Sequence, residues 1–286
     1  MSFRDILVVL RPYPATTPIT VVEHAAAVAL AFRSRVSVIA CALKPQVPGN
    51  ILGNAIFNVS ALATEESEKS VDDGRRLLTV FERAIRKHGM ICGQILETCR
   101  PPDAPGILVD YARLRDLTIL PMPEGTYVAE LDAQWYAEKL IFDSGHPVII
   151  LPQDRESSRP GTFDNVMIAW DKGCAASRAI ADAMPILRAG KRVHLLTVRG
   201  EKPIVSKRSG EELVQHLALH GVDVILREPD ATGRTIGEVF EEEVRANDID
   251  VLVMGAYGRS RFREFILGGA TKSMLTRPPT ALFLSH

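Results

Sequence analysis

The chain has 286 residues, 46% hydrophobic and 24% charged, which suits a soluble globular protein with room for two ordinary domains. A formal net charge of −1, with Lys and Arg interleaved among Asp and Glu, argues against a nucleic-acid partner or an anionic membrane surface. Cys41, Cys92, Cys99 and Cys174 show neither CxxC nor zinc-ligand spacing, so they read as small buried apolar residues in a reducing cytoplasm.

Met1 to Asp5 runs directly into a short apolar strand, Ile6 to Leu10, without the pattern of a signal peptide. Val21 to Phe32 is helical in pattern, but it contains Glu23 and His24 and is too short to span a bilayer. Pro45 to Ala63 follows, with Pro45, Pro48, Gly49 and Gly53, and begins as a loop. It is apolar for a loop (Ile51, Leu52, Ile56, Phe57, Val59), as if to cover a groove or meet a partner. Asp116-Leu-Thr-Ile-Leu-Pro-Met122 and Val148 to Leu151 complete the strands of this region. Gln153 to Phe163, rich in Ser, Arg, Pro and Gly, reads as a linker.

Beyond the linker the strands are Val166–Trp170, Val193–Val198, Val222–Arg227, Val251–Met254 and Thr280–Leu284, with helical patterns between them, Ala175–Arg188 among them. This is a second copy of the first region. Asp116 to Met122 matches Asp248 to Met254, while His88-Gly89 matches His220-Gly221 and Pro147 matches Pro279, each at a separation of 132. The first strands stand 160 apart, so the first copy carries 28 extra residues in its front half, placed mainly in Pro45 to Ala63. Strand–helix alternation of this kind implies an α/β protein: two tandem, doubly wound, five-stranded parallel sheets with helices on both faces. The predicted domains are 1–152 and 164–286.

Gly255-Ala-Tyr-Gly258, nine further residues, and Gly268-Gly269-Ala270-Thr271 follow the buried run Val251–Met254. Glycine after a buried strand lets a phosphate reach unobstructed amides, and a Gly-Gly helix opening offers unpaired N–H donors at the positive end of a dipole. The two clusters predict a clasp around a nucleotide phosphate tail. At the separation of 132 the first copy has Pro123, Thr126, Tyr136 and Ala137 in place of the four glycines, so the fold is kept and the clasp is lost.

Gly-x2-Gly-x9-Gly-(Ser/Thr) after the fourth strand of an α/β domain resembles the nucleotide-binding signature of universal stress proteins. The sequence departs from it at Gly269, which keeps an amide donor and lacks the hydroxyl. The resemblance covers nearly the whole chain and is stronger in 164–286. It implies the Rossmann-like adenine nucleotide alpha hydrolase fold and an adenine-nucleotide-binding stress-response protein of the cytoplasm. ATP, with or without Mg, is the implied ligand. Asp171 would face the adenosine by the same resemblance, with Ala169 and Val198 against the adenine and Met254 also in the nucleotide site. An Asp here also fits a helix cap or a turn, and Arg11 occupies its place in the first copy. Arg259, Ser260, Ala270 and Thr271 complete the implied phosphate surroundings.

No catalytic residue and no metal site is expected: no G-x-S-x-G elbow or Walker loop is present, and His216 and His220 stand alone at metal spacing. A regulatory binding protein is the primary reading. A slow ATPase, and a scaffold that binds a protein partner or an apolar ligand, are the alternatives. The final strands of both copies would be apolar sheet edges, which predicts that they pair with each other as an intramolecular pseudo-dimer, with a homodimer as a further possibility.

Overall fold

Apolar residues at every position, rather than at alternate ones, mark strands that are covered on both faces. The computed structural model describes residues 3–44, 59–122, 133–153, 160–199, 210–231, 233–256 and 269–286. Along the chain these form β1 (Asp5–Leu10), α1 (Ile19–Ala31), β2 (Arg35–Leu43), α2 (Val59–Arg86) and β3 (Cys92–Cys99). A short 3-10 turn leads to α3 (Ala104–Ala112), β4 (Leu117–Met122), α4 (Ala133–Asp143) and β5 (Val148–Pro152). The second half has β6 (Asn165–Ala169), α5 (Cys174–Ala189), β7 (Arg192–Leu196), α6 (Gly210–Leu219) and β8 (Val224–Arg227). It ends with α7 (Ile236–Ala246), β9 (Val251–Gly255), α8 (Gly269–Thr276) and β10 (Ala281–Ser285).

All ten strands belong to one sheet, in the order β3-β2-β1-β4-β5-β10-β9-β6-β7-β8. Each half has the doubly wound order and is parallel throughout, and the halves meet where β10 pairs antiparallel with β5. Leu282 faces Ile150, Phe283 faces Ile149 and Leu284 faces Val148. The edge expected to pair is therefore the one that does, and the outer edges of the sheet are β3 and β8.

Two apolar layers run the length of the sheet. One holds α1, α2, α5 and α6 against residues such as Ile6, Val8, Val166 and Ile168. The other holds α3, α4, α7 and α8 against Leu7, Val9, Met167 and Leu252. Phe3, Ile149, Leu151 and Phe283 belong to the first layer, so the core is continuous across the junction. The Phe3 ring lies 5.3 Å from Phe32 and 6.2 Å from Phe283, closing the seam with aromatic contacts. Burying one such side chain is worth about 1.5–3 kcal/mol.

The strand pairing corrects the alignment of the copies. Ile6 pairs with Leu117, and Val166 pairs with Val251. Ile6 and Val166 stand 160 apart, whereas Leu117 and Val251 stand 134 apart, not 132. The carboxylate of Asp116 accepts from the Asp5 amide, as that of Asp250, rather than Asp248, accepts from Asn165. α3 has 9 residues and α7 has 11, which accounts for the two. Buried Ala137, Leu140 and Ile141 correspond in the same way to Thr271, Met274 and Leu275. The counterpart of Gly255 is thus Pro121, and that of Ala270 is Tyr136. Residues 59–63 of the expected insertion begin α2, and 45–58 lie outside the described residues.

Candidate functional site

The carboxyl ends of β6 and β9 lie side by side at the centre of the second half, with Ala169 paired to Met254 and Leu196. Ala169, Met254 and Val198 belong to the same apolar layer, Val198 half-buried just past the end of β7. A flat apolar wall is the surface on which a planar base packs. Three of the residues expected at the nucleotide site therefore stand together.

Gly255 ends β9, paired with Ser285. A Cβ on it would overlap the amide nitrogen of Ala176 and the carbonyl carbon of Ala175. The residue is glycine because α5 starts directly against the strand end, a packing reason beside the expected phosphate reason. α5 itself opens on Gly173 with no side-chain cap, which leaves its first amides for another acceptor. α7 differs: the Thr235 hydroxyl accepts from the Glu238 amide, and Glu238 accepts from the Thr235 amide at 2.7 Å. Those hydrogen bonds from Thr235 hold the Glu238 carboxyl below its ordinary pKa. The Thr-x-x-Glu spacing is a sequence signal that the reading above did not use.

Asp171 is exposed and follows β6 by two residues. Its Oδ1 accepts from the Gly173 amide at 2.8 Å, so the side chain closes its own turn, and Lys172 between them has φ of 64°. Ala270 is half-buried and Thr271 buried in the first turn of α8, which Gly269 opens. α8 packs closely on α7, where a Cβ on Gly237 would overlap the Ser273 hydroxyl. Gly258, Arg259, Ser260 and Gly268 lie outside the described residues.

The loops after β7 and β8 add two arginines that the sequence did not single out. Arg199 donates through Nε to the Glu228 carbonyl at 3.1 Å. Arg234 donates to the Asp230 carbonyl at 2.8 Å and pairs with Glu242. The two loops are also joined by backbone bonds between Arg199, Pro229 and Ala231, which form one rim beside Val198.

The corresponding place in the first half is filled. Arg11, the counterpart of Asp171, is buried, and its guanidinium lies 5.7 Å from the centre of the Tyr136 ring. Tyr136 is itself buried, and that burial pushes its hydroxyl pKa well up. A cation stacked on an aromatic face, both shielded from water, is a stable plug.

No protein-family model and no curated protein sequence matches the chain, whereas solved structures do. A universal stress protein from Archaeoglobus fulgidus aligns with a TM-score of 0.70 at 16% identity, covering 98% of this chain and 95% of that one. A protein from Pseudomonas aeruginosa, provisionally named for the same family, gives 0.60 at 16% over 99% of this chain and 93% of its own. A functionally unknown protein from Pseudomonas aeruginosa gives 0.57 at 15% over 99% and 92%. This chain has the universal stress protein fold over its full length. Among the described residues no helix is long and apolar enough to cross a membrane.

Proposed function

We propose that the protein binds one adenine nucleotide, with ATP the first candidate, at the carboxyl edge of the second half. In this reading 1–152 and 164–286 are two domains, and the first serves the second as a built-in partner. The observation that carries it is the contrast at equivalent positions: Arg11 stacked on Tyr136 in one half, exposed Asp171 and small Ala270 in the other. The apolar wall of Ala169, Val198 and Met254 would take the base, and the uncapped start of α5 together with the glycine-opened α8 would face the phosphates. Asp171 Oδ1 is engaged within its turn, which leaves Oδ2 to accept from a ribose hydroxyl or the adenine amino group. The role is that of a nucleotide-responsive regulator in the cytoplasm.

Titration calorimetry with ATP tests the reading. One site per chain is expected, abolished by Gly258→Val with the fold intact. Two equal sites, or no binding at millimolar ATP, would overturn it. A scaffold that takes no nucleotide is the second reading, and specific contacts favour it: Gly255 is explained by the approach of α5, and Asp171 by its own turn. Gly269→Ser separates the two. It restores a hydroxyl worth about 1.5–3 kcal/mol to a bound phosphate, and it changes nothing in a protein that binds none.

A further inference from the structure

Two cysteines of the first half stand together at the carboxyl ends of neighbouring strands. Cys41 pairs in register with Glu97, and Cys99 pairs with Leu43 two residues further on, so both side chains face the same apolar layer. Both are buried free thiols, and each shifts the other's pKa, Cys41 upward and Cys99 downward. Cys92 faces the opposite layer, and Cys174 is exposed in the other half. We propose that Cys41 and Cys99 are a reversible dithiol–disulfide pair that responds to hydrogen peroxide.

Cys99 is the attacking group. The neighbouring Cys41 thiol lowers its pKa, against burial and the Asp103 and Glu97 carboxylates, while the Cys41 pKa is raised. The thiolate attacks one peroxide oxygen, the O–O bond breaks, and the departing hydroxide takes up a proton to leave as water. Cys99 becomes a sulfenic acid. The Cys41 sulfur then attacks the Cys99 sulfur, its own proton leaves with the hydroxyl as a second water, and an S–S bond forms. Two electrons pass from the sulfurs to the peroxide, and the balance is two thiols and one peroxide to one disulfide and two waters.

The strand geometry makes the bond labile. In this parallel pair, strands about 4.8 Å apart and a step of two residues put the two Cα atoms on the order of 8 Å apart, while an unstrained disulfide spans about 4.4–6.8 Å. The end of β3 must therefore shift by about an ångström. Among the described residues β3 is an outer edge bonded to β2 alone, and Cys99 is its last residue, where strand ends open at least cost. A strained disulfide is easily reduced, as a reversible sensor requires.

The test uses the full-length protein, reduced and then exposed to hydrogen peroxide. The free-thiol count should fall from four to two, with an intact mass two hydrogens lighter and a peptide linking Cys41 to Cys99, all reversed by dithiothreitol. Cys41→Ser should halt the reaction at the sulfenic acid, trapped by dimedone on Cys99. Oxidation confined to Cys174, a link between chains, or no dimedone adduct on Cys99 in Cys41→Ser would overturn the proposal.

Discussion

At the end of β1 the chain continues into Arg11, buried over a buried tyrosine; at the end of β6 it continues into Asp171, exposed and bonded within its own turn. The strand order around both places is the same, and both lie in the same apolar layer. The two halves thus share a scaffold and differ in what fills its carboxyl edge. The buried Arg11–Tyr136 stack fills one edge, and the short Asp171 and small Ala270 stand at the equivalent places of the other. The fold alone does not say which edge is used.

The largest expected effect comes from breaking the seam that makes the halves one body. Phe283 is fully buried, in contact range of Phe3 and in register with Ile149. Phe283→Ala should cost about 3–5 kcal/mol. Because both core layers cross the junction, chemical denaturation should show a single transition shifted to lower denaturant. Two separated transitions would mean that the halves unfold independently.

An exchange across the comparison is expected to be next in size. Tyr136→Ala removes the ring beneath Arg11 and should destabilise the protein by about 2–4 kcal/mol without creating a nucleotide site. Ala270→Tyr, at the equivalent position, should leave the melting temperature nearly unchanged and eliminate ATP binding. Calorimetric titration and thermal melts on both variants check the pair. ATP bound normally by Ala270→Tyr would place the nucleotide elsewhere.

The fold was largely legible in the sequence, because strands covered on both faces are continuous apolar runs and a final apolar strand has to find a partner. The register between copies was not. A strand apolar at every position looks the same when slid by two residues, so Asp116 matched Asp248 by type while the bond to the neighbouring strand falls to Asp250. The difference in residue type between Arg11 and Asp171 was legible in the sequence. The Arg11–Tyr136 stack was not, since Arg11 and Tyr136 stand far apart in sequence and meet only when α4 packs on the sheet. The contact of Gly255 with α5 is invisible for the same reason, a long-range approach with no local pattern.

Gly255 sharpens the comparison at smaller cost. Gly255→Ala puts a methyl into the Ala175–Ala176 backbone and should lower stability by about 1–3 kcal/mol. The first half already carries Pro121 at this position, so Pro121→Gly should remove no comparable contact. If Gly255→Ala melts like the parent and loses only ATP affinity, the glycine serves the ligand and not the helix.

The smallest effect is a pH dependence peculiar to the second half. His194 on β7 is buried and accepts at Nδ1 from Arg227 Nε at 3.0 Å, and its Nε2 has no hydrogen-bond partner. Its counterpart on β2 is Ser37, which does not titrate: Met167 pairs with His194 as Leu7 pairs with Ser37. Burial, then Arg227 and Arg192, hold the His194 pKa below its ordinary 6.5. The folded state therefore binds the proton less readily than the unfolded chain, and stability rises with pH. It is complete above 6.5 and is lost as the pH falls below that value, where protonation would break the Arg227 bond and set three cations together. Glu243, 3.9 Å from Arg227, offsets only part of that repulsion. His194→Gln keeps an acceptor for Arg227 and removes the titration. His24 on α1, whose pKa burial also lowers, is present in both proteins and cancels in the difference. Denaturation midpoints measured from about pH 7.5 to about pH 5.5 should fall more steeply for the parent than for His194→Gln. Parallel curves would assign the acid sensitivity to His24 and the first half instead.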